Sequence, residues 1–356
     1  MRWGVNLIMK KTLNKILNKI SRNKKEPLPT RITSETVAEH REQILAGGRR
    51  FKYPIQYAKH RLVINAIVIG LVALVLVTII GWWRLYVVQS TSTFMYSITK
   101  VIPVPVAEVD NQPVLYSDYL MRYIGSIHYA VSKEQLNLDS EDGKRRVSHI
   151  KQQSMDDVIA EAYAAKLAKE MNISINDEDF ELFLTAQRQS NGTTMTEAAY
   201  QAVVLDYYGW SSSEYRHEMK SNLLRQKVSY AMDDDALKLA NGLYDSLKLN
   251  PDQDLKTLVE ATPTQGGSKA AYGVSGWVPK SNKDGGRTEA ASKLEKSQIS
   301  SVIKSTSGNG YYIVRLLDVS DKQVNYEYIE VPLTAFTNKL QTVKDENKVE
   351  KFITIQ

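Results

Sequence analysis

Side chains able to make or break bonds are sparse in this sequence of 356 residues. It has no cysteine, which removes thiolate nucleophiles, disulfides and cysteine-based zinc sites together. The five histidines, His40, His60, His128, His149 and His217, are widely separated. None forms a His-x-x-x-His or His-Glu pair of ligand spacing, so neither a metal nor another cofactor is expected. Asp233-Asp234-Asp235 has the charge to hold a cation, but an acid run just before Ala236 is explained more simply as the capped, positive end of the helix that follows. Gly266-Gly267 and Gly285-Gly286 lack the Lys-Ser/Thr of a phosphate loop and read as turns. Asn172-Ile173-Ser174 and Asn191-Gly192-Thr193 match a glycosylation pattern that short sequences meet often by chance.

What remains is tyrosine, twenty residues in all, which presents rigid area with one polar handle. Tyr119, Tyr123 and Tyr129, then Tyr207, Tyr208, Trp210 and Tyr215, are candidates to line a groove that accepts unfolded polypeptide with loose selectivity. Ordinary packing between modules is the competing explanation, and exposure decides between the two.

The elements that must position these rings are set out by an uncharged run, Leu62 to Trp83. At ~1.5 Å per residue such a helix covers roughly 30 Å, the thickness of bilayer hydrocarbon. Lys59, His60 and Arg61 precede it, and Trp82, Trp83, Arg84 and Tyr86 close it with rings suited to a headgroup boundary. Residues 1–61 hold fifteen Lys and Arg against four acids, about +11, whereas the rest of the chain is about −5. The positive-inside tendency therefore predicts a single-pass protein with a cytoplasmic N-terminus and about 270 residues outside the membrane. The run is too long and starts too late for a cleaved signal peptide, and no Ala-x-Ala-like site follows it.

In the basic segment, Leu13, Ile16, Leu17 and Ile20 share one helical face and lysines the other, a pattern that fits anionic lipid. No nucleic-acid partner is expected, because no reading motif accompanies the charge. Ser34 to Ala46 reads as a short helix stopped by Gly47-Gly48. Residues 84–105, rich in Ser, Thr, Val and Pro, read as an extended stalk.

Beyond it, VAEVDNQPVLYSDYL at 106–120 reads as a strand, a turn at Asp110-Asn111, a returning strand and the start of a helix. DDVIAEAYAAKLAKEMNISINDEDF at 156–180 reads as helix, turn, helix, with Val158, Ala162, Ala165 and Leu167 near one face, and YRHEMKSNLLRQKV at 215–228 as a further helix. In order and spacing, behind a membrane anchor, these three segments resemble the N-terminal chaperone domain of SurA-like and PrsA-like extracytoplasmic foldases.

The next stretch is similar to a parvulin-type (PpiC-like) peptidyl-prolyl isomerase domain. AAYGVSGW at 270–277 looks like that family's Gly-x-Leu-Gly-Trp segment, and LEKSQISSVIKSTSGNGYYIVRLLDV at 294–319 like its C-terminal half. From the residues alone, this ending is a strand at 301–304, a hairpin at 307–310 and a strand at 311–317.

The resemblance implies an α+β protein divided into a basic segment (1–61), a transmembrane helix (62–83), a stalk (84–105), a SurA-like helical domain (106–227), a parvulin-like domain (228–320) and a C-terminal segment (321–356) packing on the chaperone domain. It also implies unfolded or nascent exported polypeptides as clients, with Tyr272, Trp277, Tyr119, Tyr123, Tyr208 and Trp210 as contact residues. The isomerase site is expected to be altered. Tyr230 and Tyr312 fall where the family keeps two strand histidines, Gln265 or Gly266 where it keeps an acid or thiol, and Lys283 to Arg287 where it lines an apolar proline pocket. An active isomerase using these altered groups and a purely structural envelope or secretion-assembly protein are the two alternatives to a binding foldase.

Overall fold

A computed structural model describes residues 33–52, 54–190 and 193–355. The expected amphipathic helix carrying Leu13 to Ile20 and the sequon at Asn191-Gly192 lie outside them. The chain divides into one unit ending at Ile80 and a second beginning at Gly81.

The described residues of the first unit are helical. Helix α1 (Ser34–Lys52) runs straight through Gly47-Gly48, which correctly disposes of the expected stop at Ala46: glycine ends a helix only by leaving helical dihedrals, and both stay in them. Helix α2 (Pro54–Trp82) follows, and a π-helical turn, Trp83–Val87, extends it. His60–Val87 is the one helix among the described residues long and apolar enough to cross a membrane, and none of the window that qualifies it is buried in protein.

From Gly81 onward the architecture is α+β. Residues 84–105 are not the extended stalk predicted from composition. Leu85 of the π-turn and Met95 of helix α3 (Thr93–Val101) are buried in the first core, and the Tyr86 hydroxyl donates to Pro105 O at 2.6 Å. The Ser-Thr-Val bias that suggested a linker instead supplies a cap, with Ser92 Oγ accepting from Met95 N.

Strands β1 (Pro105–Val109) and β2 (Gln112–Leu115) form a hairpin whose turn residues, Asp110 and Asn111, have φ of 47° and 64°, the left-handed pair of a tight turn. Helices α4 (Tyr116–Ser132) and α5 (Glu141–Glu170) pack behind it. On α5 the core face is Val158, Ile159, Tyr163, Ala164, Leu167 and Ala168; of the expected stripe, Ala162 and Ala165 are only half-buried. Helix α6 (Asp177–Arg188) is capped by Asn176, and strands β3 (Gln189–Ser190) and β4 (Thr193–Thr194) pair briefly before α7 (Glu197–Tyr208). Helix α8 (Ser212–Met232) opens on a capping box, Ser211 with Glu214.

The boundary expected at 227/228 falls inside α8, which carries Val228 into the first core and Tyr230 into the second. Helices α9 (Asp234–Leu249) and α10 (Leu255–Ala261) cover one face of a four-stranded antiparallel sheet of order β5-β8-β7-β6: β5 (Ala271–Pro279), β6 (Ile303–Lys304), β7 (Gly310–Val319) and β8 (Gln323–Pro332). The short helix α11 (Arg287–Ala291) covers the other face. Because side chains alternate along β7, Tyr311 and Ile313 meet α9 and α10, while Tyr312, Val314 and Leu316 meet α11. The boundary expected at 320 is also displaced, since β8 is an inner strand of this sheet.

Helix α12 (Ala335–Asp345) then returns to the first core through Phe336, Leu340 and Val343, with Phe336 6.0 Å from the Tyr163 ring. Strand β9 (Val349–Lys351) pairs with β1 in the register Ala107↔Lys351, completing a sheet of order β2-β1-β9.

Asp233 holds the crossing point. Its buried carboxylate accepts from Ala236 N at 3.0 Å, capping α9, and from Thr334 N and Ala335 N at 2.6 and 2.9 Å at the start of α12. Asp233→Ala is expected to cost about 2–4 kcal/mol in denaturant unfolding, since it removes a cap and strands two buried donors.

A second buried polar cluster joins three helices. Arg122 on α4 binds Glu161 on α5, both oxygens of Glu218 on α8 at 2.6 and 2.7 Å, and Asp157 at 3.3 Å. Burial pushes the Glu161 carboxyl up to about 7, Arg122 opposing and Glu218 reinforcing the rise. A carboxyl raised on folding takes up protons, so stability is greatest below its unfolded value and falls as pH rises through about 7. Thermal unfolding of the full chain between pH 5 and 8 is expected to show this decline, on the order of 1–3 kcal/mol, and Glu161→Gln to flatten it. His217, raised by its bond to Asp118, has the same sign but is half exposed and adds little.

Candidate functional site

Two surfaces of the second unit gather the residues singled out by sequence. The first lies on the α11 face of the four-stranded sheet. The guanidinium of Arg287 sits over the rings of Tyr312 and Tyr328, 4.6 and 4.4 Å from their centroids, and the two rings meet edge to face at 6.3 Å. Arg287 Nε donates to Asp284 O at 2.9 Å. The Asp284 carboxylate accepts from Thr288 N at 2.9 Å, from Thr288 Oγ1 at 2.6 Å and from the Tyr326 hydroxyl. Tyr312 is fully buried, and its oxygen accepts from Asn309 Nδ2 at 2.6 Å. Burial, with the bond to Asp284, pushes the Tyr326 hydroxyl up.

Tyr230 does not stand on a strand beside Tyr312. It occupies the last turn of α8, packs edge-on against Tyr311 at 5.3 Å, and donates to Ser305 O and Gly310 O at 3.0 and 2.8 Å. Tyr311 and Tyr312 face opposite sides of the sheet, so Tyr230 and Tyr312 cannot converge on one ligand. The placement of Tyr230 on a strand rests on the parvulin resemblance alone; the helical periodicity of YRHEMKSNLLRQKVSYAM already runs through it, and α8 follows that period. Burial raises the Tyr230 hydroxyl, which keeps it a proton donor at neutral pH.

Beside this face is a cleft of about 400 Å³. One wall is Gln187, Asn222 and Gln226 of α6 and α8 with Phe183 and Met219; the other is Asn282, Lys283, Gly285 and Gly286 before α11, with Thr306 and Ser307 of the β6–β7 turn. Lys283 Nζ donates to Gln187 O at 3.2 Å across its rim. At Gly308 (φ 77°) a Cβ would lie 2.3 Å from Gln226 Cγ, so a side chain there would have to displace the Gln226 side chain and hold a left-handed backbone. A lining of amides and hydroxyls, with one ammonium group and the Glu289 carboxylate offsetting each other, suits peptide backbone better than a purely apolar ligand. It offers no nucleophile paired with a base.

Tyr272 and Trp277 lie on the edge strand β5. The Tyr272 hydroxyl donates to Glu327 Oε2 at 3.0 Å; burial, with that carboxylate, pushes it up to about 12. Glu327 pairs with Arg315, which also donates to Pro251 O and Gln253 O, so Tyr272 belongs to a structural network. Trp277, beyond a bulge at 275–276, is exposed.

The second surface is aromatic. Tyr208 stacks on Trp210 at 4.8 Å and on Tyr129 at 5.9 Å, Tyr207 adjoins them, and Lys133 lies over Tyr207. Tyr207 and Tyr208, with Val203 and Leu205 on α7, are exposed. Trp210 is held from beneath: its Nε1 donates to Met121 O at 3.1 Å, and the ring lies against Gly125 so closely that a Cβ there would be 2.5 Å from it. Tyr119 and Tyr123 are not part of this shelf. They stack on each other at 6.2 Å and are buried, as is Tyr215, so the expectation that they contact clients is replaced by a core role.

Sequence reasoning placed Asp284 and Arg287 only within the stretch expected at the proline pocket, without their contacts, and missed Thr288 and the pair Tyr326 and Tyr328. The i, i+2 spacing of the two tyrosines marks one face of a strand, and Asp284 four residues before Thr288 marks a helix start, so both signals were present.

Residues 55–229 match the family model of the SurA-like N-terminal domain. That stretch takes in the apolar helix, the β1–β2 hairpin and helices α3 to α8, and it places this part of the chain beside chaperone-type foldases. No curated protein matches the chain.

Tyr230→Phe is expected to lose about 0.5–1.5 kcal/mol of unfolding free energy, because the hydroxyl's bonds to Ser305 O and Gly310 O are lost while each carbonyl keeps a backbone donor, Gly308 N and Ser305 N, and to leave client capture unchanged. Comparing denaturant midpoints with binding of an unfolded polypeptide checks both halves.

Proposed function

We propose that this protein is a membrane-anchored extracytoplasmic foldase that binds unfolded exported polypeptides and has little or no prolyl isomerase activity. The single observation carrying this reading is the SurA-like match over residues 55–229, on a chain that joins an apolar helix of membrane-spanning length to that domain. The basic N-terminal segment faces anionic lipid on the cytoplasmic side, and clients meet the second unit outside. The sheet module is a parvulin-like domain kept for binding. Two features of this chain support the loss of catalysis. Tyr312 stands where one of the family's strand histidines is expected, and Tyr230, carried by helix α8 instead of a strand, has its hydroxyl spent on backbone carbonyls. The segment expected to line the proline pocket supplies Arg287, stacked between Tyr312 and Tyr328, and no large apolar side chain. Isomerisation across a barrier of ~18–20 kcal/mol is eased by gripping the ring and desolvating the imide, and that apolar floor is missing. Client contact falls to the exposed aromatic shelf, where Tyr207 and Tyr208 offer area at small entropic cost.

The full chain in nanodiscs is expected to suppress aggregation of a denatured client at near-stoichiometric ratio, and the Tyr207→Ser/Tyr208→Ser double variant to weaken capture by about tenfold, a loss of ~1.4 kcal/mol. The same preparation is expected to leave an X-Pro tetrapeptide at its uncatalysed rate. Acceleration abolished by Tyr312→Phe would establish an active isomerase with an altered site. Absence of both activities would favour a structural envelope protein.

A further inference from the structure

Helix α3 (Thr93–Val101) has two unlike faces. Met95 and Thr99 are buried in the first core, while Tyr96 and Lys100 reach Glu214 at 2.6 and 3.1 Å. The remaining face is open and mixes Thr93, Ser97 and Lys100 with an apolar edge: Phe94 is 70 % exposed, Val101 81 % and the adjoining Ile102 56 %. Phe94 and Val101 are seven residues apart, two helical turns, so they share one stripe with Ser97 between them. Val87, Val88, Trp82 and Trp83 are exposed as well, at the end of the apolar run.

The sequence and the packing agree on what covers this stripe. From Gly81 to Ala107 the chain contains two cations, Arg84 and Lys100, and no carboxylate, although the chain beyond residue 61 is net acidic. Five residues, Val88 to Ser92, separate the π-turn from α3, a reach of at most about 18 Å. The π-turn cannot drift from the folded module. Leu85 is buried in the first core, the Tyr116 hydroxyl donates to Leu85 O at 2.9 Å, and the Tyr86 hydroxyl to Pro105 O at 2.6 Å. The stripe is therefore held within reach of the level marked by Trp82 and Trp83, where indole rings favour the headgroup layer.

We propose that α3 is an interfacial helix whose Phe94, Val101 and Ile102 enter the headgroup and acyl boundary of the bilayer that the apolar helix crosses. Rather than being lifted off by a stalk, the module is seated on the membrane. This rests on the membrane-anchored reading given under Proposed function. Lipid is the occupant because the stripe is continuous in sequence with the span and no carboxylate of residues 81–107 opposes it, the Lys100 charge being balanced by Glu214 beside the stripe and Arg84 standing at the end of the span.

The absence of cysteine makes a direct test available. Single variants Leu74→Cys, Ser97→Cys and Leu249→Cys of the full chain, spin-labelled and reconstituted in vesicles of phosphatidylcholine and phosphatidylglycerol, report accessibility to oxygen and to an aqueous nickel chelate. Ser97→Cys leaves Phe94 and Val101 intact. The label at 74 is expected in lipid and that at 249 in water, with nickel access at 97 at least about threefold below that at 249. Adding Phe94→Glu and Val101→Glu to Ser97→Cys is expected to restore nickel access. Water-like access at 74 would remove the membrane-anchored reading itself. Lipid-like access at 74 with water-like access at 97 would overturn only the interfacial helix. Shielding at 97 that survives the two glutamates would assign the cover to protein rather than lipid, and would overturn it as well.

Discussion

One carboxylate fixes where this chain turns back on itself. Asp233 is buried at the joint between the first module and the sheet module, a costly place for a charge unless donors surround it. Three backbone N–H groups do so, one from the helix that leaves the joint and two from the helix that returns. Ser268 adds a neighbouring tie, with its hydroxyl within 3.0 Å of both Pro332 O and Thr334 Oγ1. With the start of α12 pinned there, Phe336, Leu340 and Val343 are aimed into the first core and β9 can reach β1. The helical module is thus built from both ends of the second unit, with the sheet module as a long excursion between them.

That excursion is made rigid by its tyrosines. Tyr230, Tyr272, Tyr312 and Tyr326 each spend their oxygen on a partner inside the protein, and each carries a ring that packs against the sheet. Hydroxyls so engaged organise loops and strands; they do not wait for substrate. What the surface leaves open is a set of exposed aromatic rings and a cleft lined by amides and hydroxyls with Lys283 and Glu289.

Much of this was legible in the sequence because it rests on local signals. The Asp110-Asn111 turn, the Asn176 cap, the hairpin ending at Gly310 and the uncharged run each follow from rules that act within one element. The failures have a common cause. Residues 84–105 look like a linker because their apolar side chains lack a long periodic pattern, yet Leu85 and Met95 are buried by partners distant in sequence. Tyr119 and Tyr123 were indistinguishable from Tyr207 and Tyr208 by type, and only the tertiary fold hides one pair and exposes the other. Tyr230 was assigned to a strand by likeness to a family motif, and the continuous helix α8 overrides it. Which hydroxyl is free is a property of packing, and no spacing rule carries it.

The strand that closes the hairpin sheet lies more than 230 residues after the strand it pairs with. A chain made from its N-terminal side presents β1 early and β9 late, so the first module stays without its third strand while the sheet module is still emerging. Contacts of such high sequence separation form slowly, because a long loop must close before any bond rewards it. During that interval an edge of β1 is open, and the sheet module is free to settle on its own local hairpin. The first module is therefore completed late in the life of the chain, by a strand made long after the hairpin it joins.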